Sequence, residues 1–176
     1  DAGNLVVFAD SVSVLNGARL QALTVGTGNA GNIFIDAENF VNVEGAGRQG
    51  AVNGSPSGIF TLNGNNETAT GTGQSGDLQI TTALLSLKNG GVFSARTLND
   101  QSAGDIYLDV ETLNLLQGGQ IIAASNGSGA AGTIRINAND TVQISGLDPR
   151  FSERAGTFPA ISDVTQPYSN ISAQSN

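Results

Sequence analysis

Aliphatic residues recur in five similar segments, each of which begins with a small residue, a glycine and a polar residue. The segments are AGNLVVFA, AGNIFIDA, SGDLQITT, AGDIYLDV and AGTIRINA, and their leading glycines are Gly3, Gly31, Gly76, Gly104 and Gly132. Three of the intervals between these glycines are 28 residues long and one is 45. The pattern predicts a repeat of 28 residues in which the second unit carries 17 extra residues.

The first strand of each unit shows the alternation of a half-buried β-strand. The second and fourth residues after each leading glycine are always aliphatic, as in Leu5 with Val7 and Ile106 with Leu108. The column between them is mixed and tolerates charge: Val6, Phe34, Gln79, Tyr107 and Arg135. Period 2 therefore predicts that the aliphatic columns point inward and the mixed column points outward.

A second strand follows in every unit, for example at Val12 with Val14, and it lies one position later in the second and fifth units. It ends near a glycine fourteen residues after the leading one, at Gly17, Gly45, Gly90, Gly118 and Gly146. Asn16 and Asn89 form Asn-Gly pairs there. We expect a corner at these glycines, where the backbone needs a positive φ or a close approach.

A third strand is clear in three units, where Leu20, Phe93 and Ile121 align. The final ISAQSN, residues 171–176, matches IIAASN at residues 121–126. Equivalent strands that repeat the same inward columns are expected to stack in parallel, roughly 4.8 Å apart. The sequence thus predicts an all-β parallel solenoid with about 28 residues and three strands per coil.

We interpret residues 1–176 as a single solenoid of about five coils. The predicted coil boundaries are 2–29, 30–74, 75–102, 103–130 and 131–176, with insertions near 46–74 and 147–170. Both insertions follow the second strand, so a higher repeat of three coils would place a row of loops on one edge. The last coil stops in mid-phase, which fits either part of a longer solenoid or a subunit whose end abuts the next subunit.

The composition argues against several classes of protein. Seven Lys and Arg against 15 Asp and Glu give a net charge of −8, which repels nucleic acids. The absence of Cys and His removes thiolate metal sites and the usual neutral-pH general base. No run approaches the roughly 20 apolar residues of a membrane helix. We therefore expect no cofactor, metal site, nucleic-acid partner or membrane span.

Acidic residues are the main candidates for catalysis. Asp36 and Glu38 lie on one predicted strand and Asp109 and Glu111 on another, but the strand between carries Thr81 there. The two pairs are thus about two strands apart, roughly 10 Å. We interpret them as a solvated face and predict that the protein is not an enzyme.

Three further sets of residues have a functional and a structural interpretation. Asp77 and Asp105 share one turn column and could bind Ca²⁺, but capping of the turn by hydrogen bonds is favoured. Ice binding is not favoured, because it requires flat paired ranks of Thr and the chain has a single column of hydroxyl residues: Thr24, Thr97, Ser125 and Ser175. Four aromatic residues away from the main strands could bind carbohydrate or pack under their own loops, and packing is favoured: Phe60, Phe151, Phe158 and Tyr168.

The repeats resemble a known family. The stretches GTGNAGNIFIDAENFVNVEGAG at 26–47 and AGDIYLDVETLNLLQGGQIIAASNGSGAAGTIRINANDTVQISG at 103–146, with SPSGIF at 55–60, are similar to filamentous-haemagglutinin-like exoproteins of two-partner secretion systems, particularly the cyanobacterial members. The resemblance implies a right-handed parallel β-helix, export to the cell surface or medium, and adhesion or filament formation.

Our leading functional prediction is an extracellular structural or adhesive solenoid segment that builds a filament, a surface layer or an adhesin stalk. Its partner would be another copy stacked end to end, or the continuation of a longer solenoid. The alternative is a carbohydrate-binding or carbohydrate-processing β-helix, with cell-surface glycans as the ligand. A single groove of Asp, Arg and Tyr side chains across neighbouring strands would favour this alternative, whereas uniformly polar faces would favour the structural role.

Overall fold

A computed structural model describes residues 1–47, 56–64, 71–151 and 167–175. Within these ranges the chain is all-β, with ten strands in two five-stranded sheets and almost no helix. The first sheet has the order β1 (Leu5–Leu15), β3 (Ile33–Glu44), β5 (Leu78–Lys88), β7 (Ile106–Leu116) and β9 (Ile134–Ser145). The second has the order β2 (Arg19–Thr24), β4 (Gly58–Asn63), β6 (Val92–Thr97), β8 (Gln120–Ser125) and β10 (Asn170–Ser175).

All neighbouring strands are parallel, and the chain alternates between the two sheets. In the first sheet Ile106 pairs with Leu78 on one side and with Ile134 on the other. In the second sheet Ile121 pairs with Phe93 and with Ile171. The paired residues are those that the sequence alignment placed in the same columns, so the predicted parallel stacking of like on like is confirmed.

Each strand of the first sheet unites the first and second predicted strands, so the structure has two strands per repeat unit where the sequence predicted three. The inward positions still change phase within the strand. In β7, Ile106, Leu108 and Val110 are buried at a spacing of two, and Leu113 is buried after a spacing of three. The pairing of β7 with β5 has the same register before and after this change of face, so two hydrophobic patterns belong to one strand.

The one-residue shift in the second and fifth units is confirmed as a β-bulge in β3 and β9. Ala9 pairs with Ala37 but Ser11 pairs with Phe40, so β3 contains one extra residue. The same irregularity lies between β7 and β9. A bulge adds one residue to one strand and leaves the later columns aligned.

The residue after each long strand has a left-handed backbone. These residues are Asn16, Gly45, Asn89, Gln117 and Gly146, with φ of 57, 80, 50, 52 and 85°. In three units a second left-handed residue follows, at Gly17, Gly90 and Gly118. The predicted positive φ is therefore confirmed at all five corner glycines.

Aliphatic side chains from the two sheets form one buried cluster, with Phe93 as its largest member. The cluster is open at the β9 end. Val142 and Ile144 are 49% and 45% exposed, whereas Leu113 and Leu115, their partners on β7, are 0% exposed. The last described strand of the first sheet therefore leaves core columns uncovered.

The second sheet corrects two predictions. Strand β4 lies inside the residues 46–74 that were predicted to be an insertion, and together with β10 it gives all five repeat units a strand in the second sheet. Phe60 lies on β4 and is buried, so its placement away from the main strands was wrong. It belongs to a small second cluster on this sheet: Phe60, Val92, Ile122 and Ala124.

Candidate functional site

The outward face of the first sheet carries one open groove that crosses three neighbouring strands. Its volume is about 630 Å³, and its polar lining comes from β5, β7 and β9. Gln79, Tyr107 and Arg135 are successive members of one column, and Asp109 and Asn137 are paired in the next. These are the columns that the alternation predicted to point outward.

Tyr107 is held in place by a carboxylate beside it. Its hydroxyl donates a 2.7 Å hydrogen bond to Oδ2 of Asp105, and the side chain stays 37% exposed. The hydrogen bond to Asp105 and the charges of Asp105 and Asp77 raise the pKa of Tyr107, while the charge of Arg135 lowers it. In the neighbouring column, Asn137 Nδ2 donates a 2.9 Å hydrogen bond to Oδ1 of Asp109.

The groove therefore combines the tyrosine ring of Tyr107, the guanidinium group of Arg135, the carboxylate of Asp109 and the amides of Gln79 and Asn137. A ring face covers apolar patches, while guanidinium, carboxylate and amide groups offer many donors and acceptors at fixed positions. This chemistry suits a neutral, polyhydroxylated ligand that lies along the sheet. The sequence named a groove of Asp, Arg and Tyr side chains as the feature to look for, but it did not say which residues would line it. Those residues are identified only when β5, β7 and β9 are placed side by side.

The acidic pairs face a smaller depression next to this groove. Asp36, Glu38, Asp109 and Glu111 line a space of about 260 Å³ together with Thr81 of the intervening strand. They belong to β3 and β7, which lie on opposite sides of β5, as predicted. In the part of the chain that the structure describes, no group of three or more His, Cys, Asp or Glu residues could hold a metal ion.

Asp77 and Asp105 take part in a ladder of hydrogen bonds from one strand entry to the next. Oδ1 of Asp77 accepts the backbone N–H of Asp105 at 2.9 Å, and Oδ1 of Asp105 accepts that of Thr133 at 2.7 Å. Asn4 and Asn32 continue the ladder at the earlier strands. These side chains bond to backbone as predicted, but to the next repeat unit instead of their own turn.

The hydroxyl column considered for ice binding does not form an exposed row. Thr97 and Ser125 are buried, and both hydroxyls donate to the carbonyl oxygen of Gln101, at 2.9 and 3.1 Å. Of the four aromatic residues considered for carbohydrate, Tyr168 is exposed and Phe151 is half-buried. Phe158 lies outside the described residues, as do 48–55 and 65–70 of the first predicted insertion and 152–166 of the second.

Two serines close the bases of the two insertions in the same way, which the sequence did not indicate. Ser57 Oγ donates to the carbonyl oxygen of Glu44 at 2.7 Å and accepts the N–H of Gly17 at 2.8 Å. Ser169 Oγ donates to the carbonyl oxygen of Ser145 at 2.8 Å and accepts the N–H of Gly118 at 3.0 Å. We call each of these arrangements a serine clasp. The matching Ser-x-Ile spacing before β4 and β10 was the available signal.

Comparison of the chain with protein-family models, with curated proteins and with solved structures found no match. Among the described residues, no helix has the length and apolar character needed to span a membrane.

Proposed function

We propose that the two sheets are faces of a right-handed parallel β-helix whose coil contains about 28 residues. The paired positions Leu78, Ile106 and Ile134 follow one another at that interval, which supports the coil length. Crossover connections between parallel strands are right-handed in about 98% of cases, which supports the handedness. The change of phase within each long strand supports a coil with three sides.

The proposed function is that of an extracellular structural or adhesive solenoid segment, which forms part of a filament, surface layer or adhesin stalk. The observation that carries this proposal is the succession of four parallel strand pairings in each sheet, in which equivalent residues of successive repeat units lie side by side. A stack in which every unit contacts only its neighbours can be extended without a new interface. Strands β3 and β9, after which the two insertions begin, lie three strand spacings apart in the first sheet, about 14 Å at roughly 4.8 Å per strand.

Immunogold electron microscopy of the cells that make the protein tests this role. Antibodies against residues 1–176 should label unbranched fibres or a layer outside the cell envelope, and the denatured mass of the labelled protein gives the length of its chain. Label confined to the cell interior would overturn the proposal. Label on the surface without fibres would favour an adhesin stalk over a filament.

A second candidate function is the binding of a neutral glycan, and the groove of Tyr107, Asp109 and Arg135 favours it. The test is a glycan array followed by titration calorimetry with the best oligosaccharide. Tyr107→Ala and Arg135→Ala should each abolish binding, whereas Tyr168→Ala, at an exposed tyrosine outside the groove lining, should leave it unchanged. No binding on the array, or binding that survives both groove variants, would refute this function.

A further inference from the structure

Four Asn-Gly pairs lie in the described part of the chain, and they begin at Asn16, Asn63, Asn89 and Asn126. Asparagine is a chemically labile residue. The backbone nitrogen of the residue that follows it can attack the side-chain amide carbon, and glycine has no side chain to obstruct this attack. In a folded protein the reaction depends on whether that N–H is already bonded and on what contacts the amide.

In three of the four pairs the glycine N–H already donates a hydrogen bond within the fold. These bonds are Gly17 to Ser57 Oγ at 2.8 Å, Gly64 to the Thr24 carbonyl oxygen at 2.9 Å and Gly90 to the Gln117 carbonyl oxygen at 3.1 Å. The N–H of Gly127 has no acceptor among the described residues. Attack at Asn126 therefore breaks no native hydrogen bond, whereas attack in each of the other pairs must break one.

The amide of Asn126 has a cationic donor at its carbonyl oxygen. Arg96 Nε donates to Asn126 Oδ1 at 3.2 Å, and the Arg96 side chain is only 3% exposed. When a nitrogen attacks the amide carbon, this oxygen gains negative charge, which a fixed and buried guanidinium group stabilises. The amide of Asn89 is held differently, because its Nδ2 donates to Glu44 Oε1 at 2.7 Å. That contact stabilises the unreacted amide.

The backbone is fixed on both sides of the Asn126–Gly127 bond. The N–H of Asn126 donates to the carbonyl oxygen of Thr97 at 3.1 Å, and the N–H of Ser128 donates to Asp100 Oδ1 at 2.9 Å. An isoaspartate at position 126 would insert a methylene group into the chain between these two anchors. An aspartate leaves the path of the chain unchanged, so the fold favours aspartate as the product.

We propose that Asn126 is a self-modification site, which converts to aspartate in the folded protein with Arg96 as the catalytic residue. The Gly127 nitrogen forms a bond to Asn126 Cγ, the Cγ–Nδ2 bond breaks, and ammonia leaves with the proton of the Gly127 N–H. Water then adds to Cγ of the resulting succinimide ring, and the new bond from Cγ to nitrogen breaks. Gly127 regains its proton, a carboxylate remains, and water is the one co-reactant.

The product makes a different contact with the second sheet. The hydrogen bond between an amide and a guanidinium becomes one between a carboxylate and a guanidinium, which is stronger because both partners are charged. Arg96 lies on β6 and Asn126 directly follows β8, the neighbouring strand. The chain therefore acquires a cross-strand ion pair after folding, and its net charge of −8 becomes more negative by one. This inference does not depend on the proposed function.

Peptide mapping by mass spectrometry tests the site in the purified 176-residue chain, incubated at neutral pH and sampled over time. Asn126 should deamidate about 10-fold faster than Asn16, Asn63 and Asn89, because its attacking N–H has no hydrogen bond to break. In urea that unfolds the chain, the four rates should converge. Equal rates in the folded protein, a preference for Asn126 that persists in urea, or isoaspartate as the main product would each overturn the proposal.

Two variants test the catalytic residue and the product. Arg96→Met should slow the reaction at Asn126 toward the rates of the other pairs, whereas Lys88→Met, which removes a cation from β5 in the other sheet, should not. Circular dichroism shows whether each variant is folded, and the comparison within the wild-type chain stands without them. Asn126→Asp should have a Tm at or above that of wild type. An unchanged rate in folded Arg96→Met, or a lower Tm for Asn126→Asp, would contradict the role of Arg96.

Discussion

Replacing Gly104 with alanine should destabilise the folded chain strongly, although the change adds a single methyl group. The new Cβ would lie 2.5 Å from the carbonyl carbon of Gly76 and would overlap its oxygen. That oxygen accepts a buried 2.6 Å hydrogen bond from Thr61 Oγ1. Relief of the overlap must therefore move backbone and lengthen a buried hydrogen bond.

The expected magnitude follows from these two effects. Overpacking of a tight interior costs about 1–3 kcal/mol, and loss of a buried hydrogen bond adds about 1 kcal/mol. We expect Gly104→Ala to lower the free energy of unfolding by about 2–4 kcal/mol. At about 2–4 °C per kcal/mol for a chain of this size, Tm should fall by roughly 5–15 °C.

The assay is thermal and urea unfolding followed by circular dichroism, with Gly3→Ala as the matched control. Gly3 occupies the same column, and its Cβ position is open. Alanine there should be neutral in monomeric protein or stabilising by up to about 1 kcal/mol, because it restricts the unfolded chain. Equal effects of the two substitutions would refute the steric account, since they would show that the carbonyl of the preceding unit is not what makes a methyl group costly at Gly104.

The remaining predictions concern the turn, the clasps and the groove. Gln117→Asn should stabilise the protein by about 1 kcal/mol in urea unfolding, because asparagine tolerates the left-handed conformation that Gln117 adopts at φ 52°; a loss of stability would show that the glutamine side chain has another role. Ser57→Ala and Ser169→Ala should each cost about 1–3 kcal/mol through the lost clasp, whereas Ser→Thr retains the hydroxyl and should cost less. Tyr107 should ionise above its usual range in an ultraviolet titration, and Asp105→Asn should lower that pKa. Because the folded-state pKa is raised, the stabilisation is present below the pKa of the unfolded tyrosine and is lost as pH rises through the folded-state value. Unchanged titration in Asp105→Asn would contradict the assigned hydrogen bond.

The columns of the first sheet could be predicted from sequence because one periodicity determines both the register and the burial of each residue. The pairing of Ile106 with Ile134, the bulge in β3 and the positive φ at Gly45 all follow from the alignment of the repeats. Strand β4 was missed because the residues around it interrupt the repeat on both sides. Its Ile59 does occupy the column of Leu20 and Phe93.

Other features depend on contacts between repeat units that periodicity does not encode. Burial of the outer face at Phe60 and Val92 cannot be read from alternation, because both faces of the second sheet are apolar there. The steric role of Gly104 depends on a carbonyl one strand away, and the sequence showed only that a glycine recurs at this position. A groove of Asp, Arg and Tyr side chains was expected to favour carbohydrate binding over a structural role. Its lining residues could be named only after the structure had placed Tyr107, Asp109 and Arg135 on adjacent strands.

The serine clasps join neighbouring strands through residues that lie outside the segments 46–56 and 147–168. At each base, the hydroxyl of the serine after the insertion bonds to the backbone carbonyl that ends the strand before the insertion and to a backbone N–H of the preceding repeat unit. Selection can therefore lengthen, shorten or replace the residues between Gly45 and Ser57, or between Gly146 and Ser169, while the strands on either side stay in place. The hydrogen bonds that join the strands at these two corners therefore place no requirement on the residues between Gly45 and Ser57 or between Gly146 and Ser169.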